Sequence, residues 1–183
     1  MAYWFWNWWL FSFFGYLLEK AFARVTRAEK QNRKCFILLP LCPVYGFSVI
    51  AMLALPEQWQ SGRGFLAASL LVPCFVEYVM HWYYETCFGV HYWDYGDQPL
   101  NINGRVCLLF ALFWTALMPL ALRIFVPVTA PLISAVPPAL TLGMWMLLAA
   151  DWLWSRWLLL CCRDTELLSV AALRRILWRK KRE

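Results

Sequence analysis

Three ionisable residues recur at four-residue steps in the apolar stretch "EYVMHWYYE": Glu77, His81 and Glu85. Steps of four place them on one face of a helix. A carboxylate or imidazole inside a greasy segment is costly, and is a functional candidate by default. At ~1.5 Å per residue, Glu77 and Glu85 stand about 12 Å apart on a straight helix, so one small ion cannot touch both. The chemistry open to this stripe is a proton relay, part of a metal site, or the polar wall of a pocket. The plainer readings are an interfacial Glu85, a Glu77 paired with a basic residue elsewhere, and a His81 that packs with one hydrogen bond.

The second candidate lies just beyond, in "HYWDYGDQPLNINGR", residues 91–105. Asp94, Asp97, Asn101, Asn103 and Arg105 crowd a stretch flanked by apolar runs. Arg105 offers a fork suited to a carboxylate or phosphate. Asp94 and Asp97 could take a divalent cation or pair with Arg105 and Arg33. Asn103-Gly104 is a turn signal. The plain alternative is an interfacial loop anchored by Tyr92, Trp93 and Tyr95. Two further carboxylates stand apart. Glu19 closes "GYLLE", where it serves either a pocket or an end-of-helix pairing with Lys20 or Arg24. Asp151, with Ser155 and Arg156 nearby, reads as a local structural pairing.

The elements that must carry these groups are membrane helices. Of the 183 residues, 62% are hydrophobic and 15% charged, against about 45–50% and about 25% in an ordinary soluble domain. Several apolar runs approach the ~20 residues needed to cross a bilayer. The expectation is an all-α integral membrane protein with about five transmembrane helices, near 3–19, 35–55, 65–88, 106–126 and 138–160. They form one transmembrane domain, 1–162. Lys20, Arg24, Arg27, Lys30, Arg33 and Lys34 fill the first connection, and seven Lys or Arg follow the last span. Cations gather on the cytoplasmic side, so the N-terminus is expected outside and the C-terminus inside. The tail, 163–183, reads as a basic amphipathic helix on the inner leaflet. The net charge of +6 belongs to these segments and does not indicate nucleic-acid binding.

Prolines punctuate the pattern. Pro40 and Pro43 in "NRKCFILLPLCPVYGF" would break the first turns of the second span, and irregular backbone at that depth needs protein or water around it. "VPVTAP", 126–131, with Pro137 and Pro138, is expected to break the chain between spans four and five. The seven cysteines show no C-x-x-C spacing and read as small packing thiols. No cofactor or metal site is evident.

Glu19, Asn32, Arg33, Glu85 and residues 91–105 all fall toward the cytoplasmic half, with Glu77 deeper. The loop therefore reads as the lid or floor of a polar pocket open to the cytoplasm. Its candidate residues are Glu19, Asn32, Arg33, Glu77, Tyr78, Glu85, Trp93, Asp94, Tyr95, Asn101, Asn103 and Arg105.

"GYLLE" at 15–19, "NR" and "CPVYGF" at 32–47, "EY" at 77–78 and "WDYGDQPLNINGR" at 93–105 occur in that order. On these motifs the chain resembles a family of small bacterial multi-pass membrane proteins described as ABC-transporter permeases. Lys34 and Leu39 stand where the family pattern has glycine. The resemblance implies transport across the bacterial cytoplasmic membrane. The chain has no G-x-x-x-x-G-K-[ST] phosphate loop, so ATP hydrolysis would belong to a separate ATPase subunit. A homodimer is the other way to complete a pathway. The competing classes are a membrane enzyme acting on a lipid or phosphorylated head group and a non-catalytic assembly or regulatory protein. No catalytic signature such as H-E-x-x-H supports the enzyme.

The orientation is testable in intact cells. A single cysteine at position 30, on a cysteine-free background, should resist labelling by an impermeant maleimide until the cells are opened. Labelling from outside would reverse the assignment and remove the cytoplasmic pocket with it.

Overall fold

From Ala2 to Val25 no proline interrupts a run of aromatic and aliphatic residues, and the run forms one helix, α1 (Ala2–Val25). In the structure, a computed structural model describing residues 1–27, 37–163 and 165–168, α1 makes an unusually close crossing with the next helix. That helix, α2 (Pro43–Leu53), starts on a proline in its first turn, where the missing N–H costs nothing. Gly46 lies against Ser12 and the Trp8 carbonyl, and Gly15 against the Tyr45 ring; a Cβ at either glycine would overlap its neighbour. The Cys42 N–H donates to Ser12 O at 2.8 Å. So α2 begins level with the middle of α1 and runs back along it.

With 11 residues, α2 is about 16 Å long, roughly half the thickness of a bilayer core. The stretch 35–55 is thus not one helical span. Residues 37–42 are irregular, and helix appears only from Pro43. The cause is local: Pro40 and Pro43 supply no N–H, and Cys42 is extended (φ −116°, ψ 92°). Asp151 holds this irregular piece. Its two oxygens accept the Leu38 and Leu39 N–H groups, each at 3.0 Å, and Ser155 Oγ donates to it at 3.2 Å. The local pairing read from sequence therefore reaches only Ser155, because Arg156 instead lies over the Trp152 ring. Cys42 is disulfide-bonded and not a packing thiol, whereas Cys74, Cys87, Cys107, Cys161 and Cys162 are free.

Helix α3 (Gly62–Phe88) carries the ionisable stripe and stops at Gly89, whose left-handed φ of 65° lets its N–H return to Glu85 O. After the loop, β1 (Asn101–Ile102) pairs antiparallel with β2 (Val106–Cys107), Asn101 opposite Cys107. Helix α4 (Leu108–Ser134) follows directly. It does not break at "VPVTAP" as its prolines suggested. A π turn at Ala121–Phe125, in which the Val126 N–H reaches Ala121 O, widens the helix just below Pro127 and gives its ring room. The chain turns at 135–137 and enters α5 (Pro138–Cys162).

Ring contacts set the directions. Phe22 meets Phe110 and Phe14 meets Phe125, so α4 runs against α1. Arg123 lies over Phe65, which puts α3 antiparallel to α4. Trp145 stacks on Phe5 at 4.5 Å, and Trp6 donates to Thr141 Oγ1. The C-terminal ends of α1, α3 and α5 therefore share one end of the bundle with residues 91–105. Two apolar clusters fill it. One joins Phe11, Val49, Met52, Phe65, Trp114 and Met118, and the other joins Ile37, Leu41, Tyr84, Phe88, Leu158 and Leu159.

Five helices thus stand among the described residues, and two of them, α3 and α4, are long and apolar enough to cross a membrane. Of the tail 163–183, the described part is Arg163 and a short turn at Thr165–Leu168. The amphipathic reading of the remainder falls outside the described residues.

The capture of Leu38 and Leu39 by Asp151 can be measured. Asp151→Ala leaves two backbone donors without their acceptor, at about 1–3 kcal/mol for each that stays buried. Thermal unfolding in detergent should fall clearly for Asp151→Ala, less for Ser155→Ala, and not for Arg156→Ala.

Candidate functional site

Glu77 is 5% exposed. One carboxylate oxygen accepts from Tyr95 OH at 3.0 Å and the other from Trp114 Nε1 at 3.2 Å. No basic side chain reaches it among the described residues. The basic partner that sequence reasoning allowed for Glu77 is replaced by two neutral donors, one from the loop and one from α4. The Trp114 ring packs on Tyr45 of α2 with centroids 4.7 Å apart, and Tyr45 OH donates to Glu19 Oε1 at 2.9 Å. A continuous line of contacts therefore joins Glu19, Tyr45, Trp114, Glu77 and Tyr95, drawing on all four helices α1–α4 and the loop. Tyr95 also stacks on Phe110 at 4.7 Å. Burial first, and then the Glu77 carboxylate beside it, push the Tyr95 phenol far up, so its hydroxyl stays a donor.

Nearer the end of α3 the groups are charged and closer to solvent. Arg105 Nη2 pairs with Glu85 Oε2 at 2.7 Å. Its Nη1 donates to Tyr78 OH at 2.7 Å, and its guanidinium lies 4.9 Å from the centre of that ring. Asn103 Nδ2 donates to the same hydroxyl at 3.0 Å, and Trp93 Nε1 donates to Arg105 O at 2.9 Å. Arg105 thus binds Glu85, not Asp94 or Asp97. The reason is that Gly89 ends α3 in a tight reversal, and the loop returns along the helix it has just left.

Asp94 is used inside the loop. Its Oδ1 accepts the Gly96 N–H at 2.8 Å, a turn built by the side chain on its own backbone. The Tyr95 N–H donates to Gly104 O at 2.7 Å, which aims the phenol at Glu77. Asn101 Oδ1 accepts the Gly104 N–H, while its Nδ2 donates to Gly96 O and Gln98 O. Asn103 and Gly104 are both left-handed, at φ 54° and 67°. Asp97 is exposed, and no three His, Cys, Asp or Glu side chains among the described residues gather as metal ligands.

Of the candidates read from sequence, Glu19, Glu77 and Tyr95 share the inner line. Tyr78, Glu85, Trp93, Asn103 and Arg105 share the outer one, and Asp94 and Asn101 shape the loop between them. Asn32 and Arg33 lie outside the described residues. Sequence reasoning passed over Tyr45, Trp114 and His91. Tyr45 sits inside the quoted "CPVYGF"; Trp114 had no signal, being one aromatic N–H in an apolar run.

The turn geometry can be tested at Gly104. A Cβ there would come within 2.5 Å of Asp94 Oδ1, and a left-handed alanine costs about 1–2 kcal/mol before any clash. Gly104→Ala should lower thermal stability by at least that amount and speed amide exchange across 94–104. Gly96→Ala, with a φ outside the left-handed region and more room, should do less.

No curated protein and no solved structure matches this chain. Residues 6–155, which include the whole of both lines of contacts, match the model of a family described as "Putative ABC-transporter type IV". That match and two helices long and apolar enough to span a bilayer point to a membrane protein. On this evidence the chain belongs to the ABC-transporter type IV family so described.

Proposed function

We propose that the chain is a permease-like transport subunit of the bacterial cytoplasmic membrane. In this reading it binds a solute at the end of the bundle where residues 91–105 fold back onto α3. The observation that carries it is Glu77. Its carboxylate is buried, is shared among α3, α4 and the loop, and has no basic partner among the described residues. A structural carboxylate at such depth is normally matched by a cation. One held by neutral donors is suited to a ligand that comes and goes. The basic residues of the connection 20–34 favour a cytoplasmic position for this end. The alternation of chain direction along α1, α2, α3, α4 and α5 accords with five passes, the second made by an irregular half and a helical half. Discontinuous helices of this kind frame the sites of many transporters. Energy would come from a separate ATPase subunit, because this chain carries no phosphate loop. The head-group enzyme gains less support, since the Arg105 fork that would hold a phosphate is engaged by Glu85 and Tyr78.

Inside-out vesicles from the native membrane, supplied with ATP and a small-molecule extract, provide the test. Vesicles carrying the protein should retain a set of solutes that vesicles lacking it do not. Glu77→Gln, which keeps the shape and one acceptor, should reach the same protein level and retain no more than empty vesicles. Equal retention with and without the protein would sink the transport reading.

A further inference from the structure

The two histidines of the chain meet. His91 follows the Gly89 reversal and comes back beside α3, where its Nδ1 lies 3.2 Å from His81 Nε2. His91 is exposed and His81 is buried, at 5% exposure. The other nitrogen of His81, Nδ1, is buried without a partner. Whichever tautomer His81 adopts, that inner nitrogen is a donor or acceptor left unused inside the protein, which costs stability. One turn earlier on the same face is Glu77, about 6 Å away between β-carbons. We infer that His91 and His81 form a proton entry path that loads Glu77 from the solvent at the loop end of the bundle.

The transfer balances. An acid in solution protonates His91, which as imidazolium carries a hydrogen on both nitrogens. Its Nδ1–H bond breaks as a bond forms at His81 Nε2. His81 then releases the hydrogen on Nδ1, and an O–H bond forms on Glu77. The remaining gap between the two side chains would need one bridging water. Tyr95 and Trp114 each occupy one acceptor position on the carboxylate, which leaves a second on each oxygen for the proton. Both histidines end neutral, with His81 in its other tautomer. The T-shaped contact of Trp93 on His81, at 5.3 Å, fixes the plane of the ring. The charged groups around the histidines are Glu85 on α3 and Asp94 and Arg105 on the loop. Around Glu77 the titratable groups are the Cys74 thiol on α3, the Tyr95 phenol and the Glu19 carboxyl on α1.

The relay is a claim about rate and needs no transported solute to be tested. The full chain in lipid nanodiscs is stepped from alkaline to acidic pH, and the protonated-carboxyl infrared band is followed in time. The band belonging to Glu77 is the one absent from Glu77→Gln. His91→Ala changes an exposed position, and should slow its appearance by about tenfold or more, in line with the loss of a proton-transfer group. Added imidazole should restore the rate, which no purely structural role of His91 would produce. His81→Phe should be slow as well, and imidazole should not rescue its buried site. An unchanged rate in His91→Ala, a slow rate that imidazole fails to restore, or no Glu77 band at any pH would overturn the relay. Retention of solute by vesicles is read separately, so the relay can fail while the transport reading stands.

Discussion

A buried carboxylate with no cation beside it among the described residues sets the terms for this structure. Taking Glu77 out of water forfeits its hydration, and the protein replaces it with a phenol and an indole drawn from two different elements. Neither donor is near Glu77 in sequence. To bring Tyr95 there, residues 91–105 must turn back along α3. To bring Trp114 there, α4 must pack on the same face. The loop's many internal hydrogen bonds follow from this demand, since a hydroxyl on a wandering loop would leave the carboxylate half solvated.

The same solution appears again at Asp151, in a different chemical form. There the donors are two backbone N–H groups made available because Leu38 and Leu39 are not helical. One carboxylate needs an ordered loop, and the other makes an irregular segment affordable inside a bundle. Both are fixed by hydrogen bonds from neutral donors. The close crossing at Gly15 and Gly46 completes the frame, because it sets the height at which α2 begins and so where Tyr45 can reach Glu19 and Trp114.

Much of this was legible in the sequence, and its limits have physical causes. The four-residue step of Glu77 and His81 correctly placed both on one buried face, since periodicity depends only on the helix itself. The weight put on 91–105 also matched a loop that contacts Glu77. The partner of Arg105 was misjudged because Asp94 and Asp97 are its neighbours in sequence, whereas a reversal at Gly89 brings Glu85 to it in space. Pro40 and Pro43 announced an irregular stretch. They could not announce that the helix after them would start halfway along α1, which depends on the fit of two glycines against another helix. The prolines of "VPVTAP" pointed to a break because the rule for proline concerns a regular helix. Widening by one residue removes the conflict, and no local signal declares it.

That widened turn in α4 has a bearing on how the chain tolerates change in length. The buried positions before it are Ala111, Trp114, Met118 and Ala121, and those after it are Val126, Thr129 and Ile133. Every step is three or four residues except the one from Ala121 to Val126, which is five. The helix in effect stores one surplus residue there. Losing a residue between 122 and 125 would make the steps uniform and keep both halves facing the core, but it would also remove the wide turn that gives the Pro127 ring its room. The same loss anywhere else in α4 would swing everything beyond it by about 100°. The place where a shortened chain would keep its facing therefore lies in the middle of a helix, directly below the proline that the surplus residue accommodates.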